Sequence, residues 1–532
     1  MEAAQENKIR MISLGDIVER VCAIFVCILI VACMLPIWVV SIIWTQSFWD
    51  EAAQEYTEVF LGRIRDNIKG NLLFCILILL LLMVICVCVK QIKWWSVNVL
   101  AVLEAVGIVI FCWVYNQQLR PIQWADFGQI VYIAGQFANG DFTQFTAGSY
   151  LAMYPQQLGL ICLLWGIIKL VGTANAVPFF QFVNCLCAGG ILILGHRAVH
   201  CMWERKEIDV IYLLLQGFCL PVYFYTGIVY GEIISIVLLF IGIGQMAKML
   251  RQKSITLFRM SVMLVSVGLA VTFRKNSLVV LIAMGIVLLV TIFKNKSWRL
   301  GVLLFVLILG GLFPAVLRRG VFGAFPVEGA RPTSSWIYIG LGDGGGFGYG
   351  AYDGKVMQIM EEAGYDTERA DEIAKHLISD RLSYFAEKPE LAVIFLKEKI
   401  LWQWLDPTFS SFTMTRFLES GYPVGLAYDI VGGNLREKTF DFMDSYQSLI
   451  YSLAVIGTIE AVRRREHFIS LLWAIILLGG FFFSVLWEAK PRYIYPYFVL
   501  MLPICAYGVW AMYEVTLRMS RYLCDYMKTR RK

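Results

Sequence analysis

Long runs of apolar residues alternate with short polar or basic stretches along most of the chain. Twelve such runs lie near 20–44, 70–89, 97–115, 176–195, 208–227, 229–247, 258–273, 277–293, 299–317, 446–463, 468–487 and 493–514. A helix of about 17 to 25 apolar residues can cross a bilayer. The pattern therefore predicts an all-α fold, a polytopic transmembrane helical bundle of about 12–13 membrane helices, with juxtamembrane helices on its outer face.

Lysine and arginine gather in short clusters between the apolar runs. The clusters are Lys90 and Lys93; Arg197, Arg205 and Lys206; Lys248, Arg251 and Lys253; Lys294, Lys296 and Arg299; Arg463, Arg464 and Arg465; and the final "MKTRRK". The positive-inside rule places these clusters and both termini in the cytoplasm. This orientation holds from both ends of the chain only if 156–172 is re-entrant or juxtamembrane. The alternative is 13 crossings with one basic loop misplaced.

Three regions follow from this topology. We expect residues 1–317 to form a transmembrane module with an outer loop at 116–175, the candidate catalytic loop discussed below, and residues 446–532 to form C-terminal transmembrane helices and a basic cytoplasmic tail. Residues 318–445 form an extracytoplasmic lid. Within it, "TERADEIAKHLISDRLSYFAEK" and "PELAVIFLKEKILWQW" predict two helices, the second with proline at its start, and "GLGDGGGFGYG" predicts a flexible loop.

The composition agrees with a membrane protein and narrows its chemistry. Hydrophobic residues make up 59% of the chain and charged residues 16%, against about a quarter charged in soluble domains. The basic residues behind the net charge of +6 lie in short clusters between the apolar runs and do not form one extended basic surface. Nucleic acid is therefore not an expected partner. The 14 cysteines lie almost entirely in apolar runs, and the four histidines lie in loops or near helix ends. We therefore predict no disulfide framework, no metal cluster and no cofactor; a divalent ion is compatible with the sequence but not required by it.

A carboxylate, Asp126, stands near the start of the segment "WADFGQIVYIAGQFANGDF" at 124–142. Apolar residues recur in this segment at helical spacing, which predicts a short helix along the membrane surface. One interpretation makes Asp126 and Gln129 a D-x-x-Q capping box at the start of that helix. The other makes Asp126 a catalytic base. The segment alone leaves both interpretations open.

Other charged residues fall in turns predicted on the same face of the membrane. They are Glu232 after "YG", Arg274 and Lys275 in "FRKNS", and Glu488, Lys490 and Arg492 in "WEAKPRYIYP". Charges at a bilayer boundary are costly unless they are paired or used, although helix-dipole stabilisation and lipid-headgroup binding are structural alternatives. Together with Asp126, the set suits sugar transfer from a polyprenyl phosphate. That reaction needs a base for the acceptor hydroxyl and cations for the departing phosphate.

These segments resemble a known family. "ADFGQIVYIAGQFANGDF", "MYPQQLG", the acid after "YG" and the late "EAKPRYIYPYF" are similar to bacterial GT-C membrane glycosyltransferases, the group that includes protein O-mannosyltransferases and the aminoarabinose transferases of lipid A. The resemblance implies that Asp126 is the catalytic base. It implies less directly a role for Glu488, Lys490 and Arg492. The chain departs from the family because it lacks an Asp-Glu pair at Asp126 and has Gln156 in place of a second proline.

We therefore expect an inverting glycosyltransferase of the bacterial plasma membrane. It would move a hexosyl or pentosyl group from a polyprenyl-phosphate donor to a hydroxyl of an extracytoplasmic cell-envelope glycan, lipid or protein. The expected roles are Asp126 as base, Glu232 as the acid that orients the acceptor or helps bind a divalent ion, Arg274, Lys490 and Arg492 as phosphate ligands, and Tyr154, Gln156, Glu488 and Tyr493 as substrate contacts. For the tyrosines, the interfacial aromatic belt is the structural alternative. The alternative functions are a flippase or exporter of lipid-linked cell-envelope precursors and an O-antigen ligase or polymerase-like protein.

Overall fold

The structure, a computed structural model, describes residues 13–252, 254–323, 329–419 and 425–530. Its α-helices, numbered α1 to α22 in chain order, are Leu14–Ile43, Ile68–Val89, Trp94–Leu119, Ala125–Ala138, Tyr150–Met153, Leu158–Val171, Thr173–Trp203, Lys206–Gly217, Leu220–Phe224, Glu232–Arg251, Leu257–Phe273, Ser277–Asn295, Trp298–Phe322, Thr333–Leu341, Lys355–Glu362, Thr367–Glu387, Pro389–Trp404, Ser411–Met414, Leu426–Val431, Arg436–Arg463, Leu472–Leu486 and Pro491–Arg530. The predicted all-α, polytopic helical bundle is confirmed.

Nine of the described helices are long and apolar enough to cross a membrane, or up to 11 spans if each of two bent helix pairs counts as one. The chain is therefore a multi-pass membrane protein. The sequence predicts about 12 full crossings, which is more than the structure supports. Two helices that the sequence predicts to cross the membrane explain much of this difference. α11 has only 17 residues, and α20 begins with the charged stretch "REKTFDFMD", which is costly inside a bilayer.

The segment predicted to be re-entrant or juxtamembrane contains a sharp bend. The helical segments Thr143–Met153 and Pro155–Val171 meet at an angle of 100°. Pro155 stands at the break, where its ring disfavours a helical conformation in the preceding residue. A bend of this size is typical of a broken span or a re-entrant loop, so the placement of this segment in the membrane stays a prediction.

Two antiparallel strands, β1 (Trp44–Asp50) and β2 (Glu55–Ile64), form a hairpin between α1 and α2. The apolar runs of the sequence do not predict it. β1 is largely buried because it lies against the end of α17, where the backbone N–H of Gln46 donates to the carbonyl of Leu405 at 3.0 Å. The hairpin is thus joined to the segment at 318–445 rather than standing free.

One face of the bundle, called the loop face, collects the hairpin, α4 and the segments from α14 to α19. Helices α16 and α17 confirm the two helices predicted there, with Pro389 at the start of α17. The glycine-rich segment between α14 and α15 makes a close approach to aromatic rings at one glycine. A Cβ on Gly348 would lie 2.5 Å from the ring of Phe60 and 2.6 Å from that of Trp402, so only glycine permits this close approach.

The last helix, α22, lies in the centre of the bundle. It packs against α8, α20 and α21, and residues 497–511 are all buried. Proline at the first position of a helix removes an N–H that would have no partner within the helix, which suits Pro491 to the start of α22. Arg492 follows it at once, so a buried helix fixes the position of this cation at the loop face.

Candidate functional site

A cavity of about 410 Å³ opens at the loop face between the hairpin, the start of α4 and the start of α22. We call it the first cavity. Its volume lies in the range of about 300–1,000 Å³ that is usual for ligand pockets. Its aromatic lining residues are Phe48, Phe60, Trp124, Phe127, Tyr154, Trp336, Phe347, Tyr352 and Tyr493, and its charged ones are Glu58, Asp126, Arg331, Glu488, Lys490 and Arg492. Six of the nine predicted site residues thus meet in one place.

Asp126 lies in the first turn of α4 and faces this cavity. Its carboxylate accepts a hydrogen bond from the Tyr150 hydroxyl at 3.1 Å and a longer one from Nη2 of Arg492 at 3.4 Å. The cap position of α4 is Trp124, and no side chain caps the helix. The capping-box interpretation is therefore wrong: the carboxylate turns toward other elements, not back to its own helix.

The turn before Asp126 is strained. Ala125 has a φ of 46°, a left-handed conformation that costs a non-glycine residue about 1–2 kcal/mol. The side chain of Trp124 anchors the chain just before this turn, because its Nε1 donates to the carbonyl of Met414 at 2.8 Å. Strain of this kind persists where the surroundings fix the backbone, and it concentrates at functional sites.

The charge state of Asp126 suits a proton acceptor. Burial raises the pKa of its carboxyl, but the charges of Arg492 and Lys490 and the hydrogen bond from Tyr150 outweigh that effect and hold the pKa below its ordinary value. The side chain is still 34% exposed, so a ligand can reach it. An anion bound by Arg492 and Lys490 would offset their charge, raise the pKa of Asp126 and make it a stronger base.

The turn before α22 brings a second carboxylate into the cavity. Glu488 is buried, pairs with Nζ of Lys490 at 2.8 Å and accepts a hydrogen bond from the Tyr493 hydroxyl at 2.9 Å. The N–H of Ala489 donates to the carbonyl of Gly350 at 2.7 Å, which ties this turn to the glycine-rich segment. Because the Glu488 side chain is only 1% exposed, against 34% for Asp126, Asp126 is the more accessible of the two carboxylates.

Glu232 and Arg274 lie behind the first cavity and are not part of its lining. They form an ion pair of 2.9 Å, with side chains that are only 2% and 11% exposed. The Tyr230 ring contacts both arginines: its centroid is 4.5 Å from Cζ of Arg274 and 5.0 Å from Cζ of Arg492. The pair is thus placed to support Arg492 from behind rather than to touch a ligand.

The two predicted contacts from "MYPQQLG" have different positions. Tyr154 lines the first cavity, whereas Gln156 is not among its lining residues. The next residue, Gln157, is buried and donates to the Tyr230 hydroxyl at 2.6 Å. The sequence pattern therefore identified the correct segment but not the correct glutamine. Gln157, not Gln156, holds Tyr230, whose ring packs against Arg492.

Arg331 is a cation that the sequence analysis missed. It is 7% exposed, and its Cζ lies 4.9, 5.1 and 5.6 Å from the ring centroids of Tyr154, Trp336 and Tyr352. Its Nη1 donates to the Tyr154 hydroxyl, whereas Nε and Nη2 have no hydrogen-bond partner among the described residues. A buried guanidinium without a paired carboxylate is costly. Its charge is therefore available to an anion in the cavity.

A buried carboxylate shapes the cavity wall between α17 and α18. Asp406 accepts hydrogen bonds from the backbone and hydroxyl of Thr408 at 2.9 and 2.7 Å and from the Ser410 backbone at 2.6 Å. Phe409 and Ser410 both have left-handed backbones, with φ of 49° and 65°. Burial raises the pKa of Asp406 to about 6, against the effect of these hydrogen bonds. We assign it a structural role, because the hydrogen bonds to its carboxylate all come from Thr408 and Ser410.

The first cavity offers a base, cations and aromatic surfaces to one ligand. Within the described part of the chain, no group of three or more His, Cys, Asp or Glu side chains could hold a metal ion. No protein-family model, curated protein or solved structure matches the chain. Chemically, the arrangement can bind an anionic group beside a carboxylate that is able to accept a proton.

Proposed function

We propose that the protein is a membrane glycosyltransferase that moves a hexosyl or pentosyl group from a polyprenyl-phosphate donor to an acceptor hydroxyl, with inversion at the anomeric carbon. One observation carries the proposal: the accessible carboxylate of Asp126 shares a cavity with three cations, Arg331, Lys490 and Arg492. A base and a set of phosphate ligands are the two things this reaction requires of a protein.

In the proposed step, the acceptor oxygen attacks the anomeric carbon of the donor sugar on the side opposite the phosphate. The bond from that carbon to the phosphate oxygen breaks, and its electrons stay on the departing polyprenyl phosphate. Asp126 takes the proton of the acceptor hydroxyl and later releases it to water. Arg331, Lys490 and Arg492 offset the charge that develops on the phosphate.

Donor binding also prepares the base in this proposal. Arg492 lies beside Asp126, and the charges of Arg492 and Lys490 lower the pKa of its carboxyl. When the donor phosphate pairs with these cations, their effect on Asp126 weakens and the pKa of its carboxyl rises. Asp126 is then a stronger base while the donor is bound. Glu232 and Arg274 act as positioning residues. The Tyr230 ring contacts both Arg274 and Arg492, so the ion pair helps to hold Arg492 in place.

The loop face is the extracytoplasmic face in this proposal, and the membrane is the bacterial plasma membrane with both termini in the cytoplasm. The positions of the basic clusters support this orientation. The first cavity lies at the ends of membrane helices. A polyprenyl chain can therefore stay in the bilayer while its phosphate and sugar enter the cavity. The acceptor is a glycan, lipid or protein of the cell envelope.

Transfer in detergent micelles tests the proposed function. With purified protein, radiolabelled polyprenyl-phosphate hexoses and pentoses and a cell-envelope extract, we expect labelled acceptor and polyprenyl phosphate to form in equal amounts. A flippase or exporter moves its substrate between two compartments, which micelles do not have, and would leave the donor intact. An intact donor in the presence of folded, donor-binding protein would therefore overturn the proposal.

A further inference from the structure

A second cavity of about 520 Å³ lies beside the first on the loop face. The start of β2, the segment at 415–418 and α19 form its walls. Four aromatic residues line it: Trp49, Tyr56, Phe417 and Tyr428. None of the residues assigned above to base or phosphate chemistry lines the second cavity. The proposed transfer step therefore gives this cavity no role.

A thin wall separates the two cavities. Glu58, which lines the first cavity, pairs with Nη2 of Arg416, which lines the second, at 2.7 Å. Cζ of Arg416 lies 4.4 Å from the ring centroid of Trp124, and Trp124 precedes Asp126 by two residues. Arg416 and Trp124 therefore lie between the second cavity and the proposed base.

This wall is suited to opening. The side chain of Glu58 is 51% exposed and that of Arg416 is 16% exposed, and an ion pair with so accessible a partner contributes little to stability. A polar ligand can therefore separate the pair and replace its contacts. On the Arg416 side the Trp124 hydrogen bond to Met414 holds the backbone, whereas Glu58 lies in the irregular part of β2, between the residues that pair with Ser47 and Trp49.

The lining of the second cavity suits a carbohydrate. Phe417 and Tyr428 are 45% and 41% exposed, so their rings are open to a ligand. An aromatic face binds the apolar face of a sugar ring, while Glu55 and Arg416 offer an acceptor and donors to its hydroxyls. Beneath this surface, Arg436 stacks on Trp49 at 4.1 Å and the Trp49 and Tyr56 rings lie 4.9 Å apart, which keeps the floor rigid.

We propose that the second cavity is a saccharide-binding subsite that holds the acceptor, and that the acceptor is therefore a glycan. The proposal rests on the proposed transferase function for the acceptor role, but the binding of saccharide does not. The acceptor chain would lie against Tyr428 and Phe417, with its terminal hydroxyl passing the Glu58–Arg416 pair toward Asp126.

Saccharide binding without any donor tests this proposal on the purified full chain. We would measure saturation-transfer NMR and titrations with trisaccharides of glucose, galactose, mannose and N-acetylglucosamine. At least one should bind, and Tyr428→Ala and Phe417→Ala should each weaken it about three- to tenfold, as expected for one aromatic contact. Tyr522→Ala, an aromatic residue that is 71% exposed near the end of α22, should leave binding unchanged.

The outcomes separate the subsite from the transferase function. Saccharide binding that is weakened in the two variants supports the subsite even if no donor is ever consumed. The proposal is overturned if none of the trisaccharides binds, or if binding is the same in wild type and both variants. It is equally overturned if a serine- and threonine-containing peptide binds in place of saccharide and loses affinity in the same variants, since the acceptor class would then be protein.

Discussion

Asp126→Asn should lower the rate of glycosyl transfer by about a hundred- to ten-thousandfold while the protein still folds and binds donor. Asparagine keeps an oxygen for the hydrogen bond from Tyr150, and α4 loses no cap because the Asp126 side chain does not cap it. The amide cannot accept the acceptor's proton at neutral pH. Steady-state turnover in micelles, with thermal stability and donor binding measured on the same sample, checks this result.

Asp141→Asn is a matched control for this substitution. Asp141 lies just beyond the other end of α4, accepts hydrogen bonds from Thr143 and Gln136, and is not among the residues that line the first cavity. Its variant should turn over at nearly the wild-type rate. If Asp126→Asn also did so, Asp126 would not be the base, and Glu488 would be the next carboxylate of the cavity to test.

Arg331→Gln should weaken use of the polyprenyl-phosphate donor by about ten- to a hundredfold. Removing one hydrogen bond to a charged group costs about 1.5–3 kcal/mol, and about 1.4 kcal/mol corresponds to a factor of ten in affinity. Glutamine keeps a polar group near the Tyr154 hydroxyl but removes the charge. The KM for donor and direct donor binding should both change, whereas melting temperature should change little.

Two variants separate charge from packing in this experiment. Tyr154→Phe removes the hydroxyl that pairs with Arg331 but leaves the cation, so donor use should change less than about threefold, because the charge that binds the donor phosphate is kept. Arg381→Gln removes another arginine that lies over aromatic rings, those of Tyr384 and Phe385, away from the first cavity. Equal losses in Arg331→Gln and Arg381→Gln would contradict a donor-binding role for Arg331.

The helices were largely predictable from the apolar runs. The run at 277–293 corresponds to α12, Ser277–Asn295, and the run at 299–317 corresponds to α13. A bilayer leaves the backbone no partner except its own groups, so a long apolar run there folds as a helix. The hairpin was not predictable by the same means, because strands β1 and β2 are short and lie among polar residues between two such runs.

The candidate site was predictable only in part. Asp126, Lys490 and Arg492 stood out because they fall in turns predicted on the outer face, and charges at a bilayer boundary are costly unless they are paired or used. Arg331 did not stand out, since it is 177 positions from Tyr154 and only tertiary packing brings it into the cavity. Packing also accounts for Arg274, which pairs with the buried Glu232 and lies on the Tyr230 ring instead of lining the cavity.

The configuration of the product at its anomeric carbon tests most directly whether Asp126 acts as a base. If Asp126 removes the acceptor's proton in a single displacement, the product has the configuration opposite to that of the donor. If Asp126 were instead a nucleophile that first binds the sugar covalently, two displacements would leave the configuration unchanged. We predict inversion, read from the anomeric proton coupling in the NMR spectrum of the product, and retention would contradict the proposed mechanism.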